Sequence, residues 1–170
     1  RAMDELRRDG HVKAIGLGVN ENEACMDALN IGDWDVFLLA GRYTLLEQTP
    51  LETLFPACRA VGTSIICGGP FNSGILAGRD MWNYAKAPAE IIEKARALGA
   101  VADAFSVPLA AAALQFPLMN DIVSCVVPGP RDKGELEQII GWFKAPIPTE
   151  FWATLKSKGL IDQEAPVPSR

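Results

Sequence analysis

Short apolar runs alternate four times with longer segments of helical pattern. The runs are Val12-Lys13-Ala14-Ile15-Gly16-Leu17, Val36-Phe37-Leu38-Leu39, Ser64-Ile65-Ile66-Cys67 and Ile122-Val123-Ser124-Cys125-Val126-Val127. Each ends in a stop rich in Gly, Asn or Pro: Gly18-Val19-Asn20, Ala40-Gly41-Arg42-Tyr43, the stretch from Gly68 to Gly74, and Pro128-Gly129-Pro130-Arg131. Apolar runs this short, without polar alternation, predict strands buried on both faces, which means a parallel sheet covered by helices. In such folds ligands sit beyond the carboxyl ends of the strands, where these stops fall.

The intervening segments fill in the helices. The opening helix runs to about Asp9-Gly10, with Gly10 as its C-cap. Asn20 or Asn22 is placed to N-cap a helix through Asn30, and Thr49-Pro50-Leu51-Glu52 opens another that ends near Gly62. After the third run come a Gly-rich loop, a polar segment from Arg79 to Tyr84, and two helices. The first spans Ala89 to about Phe105, with Ile91, Ile92, Ala95, Leu98 and Val101 on one face. The second starts at Ser106-Val107-Pro108, a Ser cap with Pro just inside, and reaches Phe116. Helices from about Lys133 to Phe143 and from Pro148 to Gly159 complete the chain. No linker divides residues 1–170, so they form one domain or one piece of one. Four β/α units are half of an eight-unit barrel, which typically needs ~250 residues. Arg1 is no initiator and Ala2 to Leu6 already lie within a helical pattern, so a longer protein with an N-terminal half ahead of this piece is expected.

Composition narrows the class without naming it. The chain has 170 residues, 49% of them hydrophobic, and a formal net charge of −5. That balance gives no reason to expect nucleic acid or an anionic membrane as partner. No run reaches the ~20 apolar residues of a membrane span, and the charged start carries no signal peptide. Cys25, Cys58, Cys67 and Cys125 lie in apolar surroundings without metal-ligand spacing, which predicts buried free thiols in a reducing cytoplasm and no metal.

Taken together, these segments resemble the C-terminal half of the aldo-keto reductases, a family of (β/α)8-barrel oxidoreductases. Lys13 through Asn20 resembles the family's fifth strand, Arg42-Tyr43-Thr44-Leu45-Leu46 the end of the sixth, and Ile65 through Gly78 the seventh strand with its phosphate-cradling loop. Val126 through Arg131 resembles the eighth strand and adenosine-binding turn. Ile147-Pro148 to Leu160, with Pro166-Val167-Pro168, resembles the closing segment. The resemblance implies an α/β fold, strands five to eight of a (β/α)8 barrel. Gly68 to Gly74 and Ala40 to Leu46 look most like the branch that oxidises L-fucose and other D-threo-aldoses at carbon 1, near which pyridoxal dehydrogenases fall.

The same resemblance implies residue roles around NAD or NADP. Asn20 stands where the family holds the nicotinamide carboxamide, a donor–acceptor edge that an amide matches; a helix N-cap is the other reading. Val19 replaces a common Ser and Ala40 a common Gln. Gly68 stands where many relatives stack an aromatic ring on the nicotinamide. The backbones of Gly69 and Phe71, either side of Pro70, and the hydroxyl of Ser73 would hold the pyrophosphate, since successive amides make an anion-binding concavity; a plain Gly-rich turn is the alternative. Gly129-Pro130-Arg131 would approach the adenosine, where a guanidinium can stack on adenine or fork onto a 2′-phosphate. Glu135 replaces a position that is basic or Gln in NADP-preferring relatives, and Gln138 and Ile139 replace a Glu-Asn pair around the adenine. A carboxylate there repels a 2′-phosphate and favours NAD, although an acid in a first helical turn is equally ordinary.

Trp82, Tyr84 and Phe71, on loops beyond the strand ends, are expected near a substrate pocket; Trp142, Phe143 and Trp152, at helical positions, in the core. His11 precedes the first strand at the opposite end and reads as structural. The family's Asp, Tyr, Lys and His belong to the first half of the barrel, upstream of Arg1, so no catalytic residue is assigned here. Tyr43 and Tyr84 lack a Lys or His partner set. The complete protein is then expected to transfer hydride between NAD(P) and carbon 1 of an aldose or similar small aldehyde, and the 170-residue piece alone to be inactive. A cofactor-binding regulatory subunit of the same fold is the alternative. An aldolase-type barrel would need a Lys at a strand end, and none of the four ends supplies one.

Overall fold

The computed structural model describes residues 2–168; Arg1, remarked above as no initiator, lies outside them. Four parallel strands form the sheet in the order β1 (Gly16–Val19), β2 (Val36–Ala40), β3 (Ser64–Gly68) and β6 (Val123–Val127). A short antiparallel hairpin, β4 (Met81–Trp82) with β5 (Ala85–Lys86), stands apart. Helices α1 (Ala2–Arg8), α2 (Asn22–Leu29), α3 (Leu54–Val61), α4 (Ala89–Ala104), α5 (Leu109–Gln115), α6 (Lys133–Lys144) and α7 (Thr149–Ser157) complete the structure. A consistently parallel sheet with helical crossovers suits a partial (β/α) barrel.

Only one face of the sheet is covered by helices, most completely at β2 and β3, against the expectation of burial on both. Phe37 and Leu39 of β2 and Ile65 and Cys67 of β3 lie against the helices, each at most 1% exposed. Removing Phe37, Leu39 or Ile65 from water contributes roughly 1.5–3 kcal/mol each. The alternate residues Val36, Leu38, Ser64 and Ile66 are half-buried, and Gly18, Cys125 and Val127 are exposed. These are the inward-facing positions of a curved sheet, and the residues described supply nothing to cover them. The outer edges of β1 and β6 likewise have no partner strand among the described residues. Cys125 is therefore exposed rather than buried; Cys25, Cys58 and Cys67 are buried, and all four thiols are free.

The core is aromatic. The Tyr43 ring meets Phe55 edge-on at 4.8 Å between centroids and Phe116 at 5.2 Å. Phe151 and Trp152 pack edge-on at 4.9 Å, so α7 and Trp152 are core, as the sequence predicts. Gly62, with φ +79°, ends α3 in the left-handed conformation that favours glycine. Several capping expectations fail. Helix α2 follows Glu21 without a side-chain cap, and neither Asn20 nor Asn22 serves; the Asn22 amide instead donates to Thr49 Oγ1 at 2.9 Å. Ser106 does not cap α5, which follows Pro108. Thr49–Leu51 forms a single 3-10 turn before α3. The first strand starts later than predicted, because the Ile15 N–H is taken by the Asp35 carboxylate at 2.8 Å and residues 12–14 stay exposed outside the ladder.

Strand β6 carries an irregularity. Ile65 pairs with Val123 but Ile66 with Cys125, leaving Ser124 as the extra residue of a bulge. Its hydroxyl donates to the Ile65 carbonyl at 3.1 Å. No single helix among the described residues is long and apolar enough to cross a membrane.

Candidate functional site

At the carboxyl end of β3 the chain folds back on itself through a run of left-handed residues. Gly69 has φ +58°, and Asn72, Ser73 and Gly74 follow at +46°, +58° and +108°. Two of these are not glycine, at a cost on the order of 1–3 kcal/mol each that the surroundings must hold. At Gly74 a Cβ would come within 2.7 Å of Arg79 Cδ, so glycine is required there on two counts. The Gly69 N–H donates to the Val127 carbonyl at 3.1 Å, which joins the loop to β6. That amide is therefore spent and unavailable to an anion, against expectation. The Phe71 amide has no acceptor among the described residues, and the Ser73 hydroxyl oxygen accepts from the Tyr84 N–H at 3.0 Å.

Opposite this loop, β6 is followed by Pro128 and by Gly129 at φ +68°. Asp132 caps α6, its carboxylate accepting from the Glu135 N–H at 2.9 Å. Glu135 then faces back over the helix N-terminus. One of its oxygens accepts from Arg131 Nε at 2.9 Å and Arg79 Nη2 at 3.0 Å, and Arg131 Nη2 contacts it too. The other oxygen accepts from the Arg131 backbone N–H at 2.8 Å. The hydrogen bonds from Arg131, side chain and backbone, hold the Glu135 carboxyl at about 2, with the charges of Arg131 and Arg79 acting the same way.

Between the two loops lies a cleft of about 260 Å³. Eight residues singled out from the sequence for the cofactor meet there: Gly69, Phe71, Ser73, Gly129, Arg131, Glu135, Gln138 and Ile139. The cleft also gathers Gly74, Ala77, Arg79, Pro128 and Trp142. Trp142 is a correction to the core expectation: it lines the cleft and packs edge-on against Phe71 at 5.6 Å. Its spacing was readable, since Glu135, Gln138, Ile139 and Trp142 follow the i, i+3, i+4, i+7 stripe of one helix face. Phe143 is no core residue either, at 55% exposed. Arg79 had no such signal; the turn at Gly78 returns it to the cleft.

Val19, Asn20, Ala40, Gly68, Pro70 and Pro130 do not line this cleft. Val19, Ala40 and Gly68 end their strands, and the register sets Ala40 beside Gly68 and Gly68 beside Val127. A Cβ at Gly68 would lie 3.2 Å from that of Ala40, so the two small residues sit close together. The Asn20 side chain takes no hydrogen-bond partner among the described residues. Trp82 and Tyr84 belong to the hairpin, outside the cleft. The Trp82 indole N–H donates to Glu47 at 2.9 Å, and Tyr84 is 76% exposed. Tyr43 is buried, and its hydroxyl accepts from the Asn120 amide at 3.2 Å rather than meeting a Lys or His. Burial pushes it up to about 12, unsuited to proton transfer near neutrality. His11 is exposed, and the described residues hold no cluster of metal-ligating groups.

The chain is 47% identical over 165 residues to a pyridoxal 4-dehydrogenase of Microbacterium luteolum, covering 95% of this chain and 48% of that protein. It is 36% identical to a D-threo-aldose 1-dehydrogenase of a Pseudomonas species, covering 94% of this chain and 50% of the relative. The chain thus spans about half the length of these curated relatives. Among solved structures, an aldo-keto reductase from Bacillus halodurans in its holo form superposes with a TM-score of 0.71 at 20% identity, over 92% of this chain and 53% of that one. At that identity the likeness speaks for the fold alone. The Aldo/keto reductase family model matches residues 1–159, and on that match the chain is a member of the aldo/keto reductase family.

Proposed function

We propose that this chain is the cofactor-binding half of an NAD(P)-dependent aldo-keto reductase, strands five to eight of its barrel, acting at carbon 1 of an aldose or on a comparable small aldehyde such as pyridoxal. The observation that carries the reading is one cleft, which collects the loop after β3, the turn after β6 and one face of α6. Its chemistry suits a dinucleotide. A Cβ at Gly129 would meet nothing within 4 Å, and one at Gly69 only the Gly41 nitrogen at 4.0 Å. Both backbones thus border open space that a larger residue would fill. The unengaged Phe71 amide and the Ser73 hydroxyl offer donors to a diphosphate, and the Phe71 and Trp142 rings offer an apolar wall.

When bound, the nicotinamide supplies hydride transfer. The chain's own part is to bind and orient. Asn20, whose amide is otherwise unpartnered, pairs with the carboxamide edge. Val19, Ala40 and Gly68 leave room at the strand ends for a flat ring. The Asp, Tyr, Lys and His of the reaction come from the half preceding Arg1, so the 170-residue piece alone does not turn over substrate.

NAD is the preferred cofactor in this reading. Glu135 occupies both guanidiniums that could take a 2′-phosphate, while its other oxygen, which accepts only from the Arg131 backbone N–H, keeps a lone pair for a 2′-hydroxyl. The test is binding and turnover by the full-length protein with NAD and NADP, on D-threo-aldoses and pyridoxal, followed at the nicotinamide absorbance. Nucleotide binding without turnover on any of these points to the regulatory-subunit alternative. Binding of neither nucleotide overturns the reading.

A further inference from the structure

One carboxylate outside the cleft ties together three segments: its own stretch after β2, the loop after β3 and the hairpin. Glu47 follows the Arg42-to-Leu46 stretch after β2, and its side chain is 16% exposed. The backbone is clamped in a turn: the Thr44 N–H donates to the Glu47 carbonyl at 2.7 Å, and the Glu47 N–H to Thr44 Oγ1 at 3.1 Å. Oε1 accepts from the Asn72 amide at 3.0 Å and from the Trp82 indole at 2.9 Å; Oε2 accepts from Arg42 Nη1 at 3.1 Å. Arg42 donates in turn to Asn83 Oδ1 at 3.2 Å.

The partners of Glu47 coincide with the strained backbone. Asn72, Ser73, Asn83 and Tyr84 all have positive φ without being glycine. Asn72 is bonded to Glu47 directly and Asn83 through Arg42, while Ser73 and Tyr84 are bonded to each other. Asn72 shows which contact dominates. Its amide also donates to the Gly41 carbonyl at 3.2 Å, and its Oδ1 is buried with no donor. Turning the amide over would set that oxygen against a carboxylate and a carbonyl, so the side chain forfeits its acceptor to keep its donors on Glu47. Asn72 lies between Phe71 and Ser73, whose amide and hydroxyl border the cleft.

We infer that Glu47 is a positioning residue for the diphosphate of the dinucleotide, acting through Asn72 on the Phe71 amide and the Ser73 hydroxyl. The inference rests on the cofactor reading above. In the full-length protein, NAD and ADP-ribose affinities are measured calorimetrically for the wild type, Glu47→Ala and Glu47→Gln. Glu47→Ala weakens both ligands about tenfold or more, the scale of one hydrogen bond to a charged group. Glu47→Gln, which keeps an oxygen for Asn72 and Trp82, restores most of that loss; a role confined to stability moves the urea midpoint and leaves both affinities in place. Where Glu47→Ala does not fold, Asn72→Gly decides: it tolerates the same φ, lacks the donor, and shows the same tenfold loss. Unchanged affinities in a folded Glu47→Ala protein, or in Asn72→Gly, overturn the inference alone. A wild type that binds neither ligand overturns the cofactor reading and this inference with it.

Discussion

Replacing Tyr43 by phenylalanine separates the two roles open to a tyrosine at this end of the sheet. The ring is 1% exposed and packs on Phe55 and Phe116, contacts that phenylalanine keeps. What is lost is the hydroxyl, the acceptor for the Asn120 amide at 3.2 Å. Asn120 cannot turn away, because its Oδ1 accepts from Arg59 Nη2 at 2.6 Å and from the Ile122 N–H at 3.4 Å. The substitution strands a buried N–H, which costs about 1–3 kcal/mol. Urea unfolding of the full-length protein at constant m-value reads that loss directly, and kcat stays at the wild-type value. A stable Tyr43→Phe protein whose turnover drops by about 10²-fold or more, the scale of a lost general acid or base, would place the Tyr43 hydroxyl in the chemistry and refute its assignment as structural.

Three further outcomes are expected. Glu135→Gln releases Arg79 and Arg131 and raises the ratio of NADP to NAD efficiency about tenfold, the scale of one charge-assisted contact; an unchanged ratio removes Glu135 from cofactor selection. Burial pushes Cys67 up to about 12 from 9.0 and Tyr43 up to about 12 from 10.0. The unfolded chain loses these protons first, so stability is intact below pH 9 and falls as pH rises toward 12, by at most about 1.4 kcal/mol per pH unit per group. Cys67→Ala flattens that decline in a pH series of urea midpoints, and an identical slope in the variant would contradict the assignment. Gly16→Ala sets a Cβ 1.9 Å from the Val36 carbonyl oxygen; overpacking of this kind costs about 1–3 kcal/mol, and a urea midpoint equal to wild type would show that β1 moves freely.

The strand-and-stop pattern was legible because it depends on local chemistry. Phe37, Leu39, Ile65 and Cys67 had to be covered, and Gly62 and Gly129 had to turn. Helix α4 fell within a residue of its expected end, since Ala95, Leu98 and Val101 form a clear stripe. Asn20, Asn22 and Ser106 do not cap, because a capping residue type is a local preference that a tertiary partner overrides, as Thr49 does for Asn22. The hairpin at 81–86 carries no local signal, because Asn83 and Tyr84 hold a left-handed turn without glycine, supported by Arg42 and Ser73 from distant sequence. The cleft was legible on its glycine side and in Glu135. That Glu135 closes on two arginines required knowing that Gly78 returns Arg79 to the site.

The bulge at Ser124 works as a phase shifter. Side chains alternate along a strand, so one extra residue exchanges the faces of everything after it. Ahead of it, Val123 is locked beneath the helices; beyond it, Val126 regains that face opposite Cys67 and Val127 comes level with Gly68. The turn carrying Gly129 and Arg131 therefore leaves the sheet on the side where the β3 loop waits. Losing one residue inside β6 would point the same turn away from its cleft.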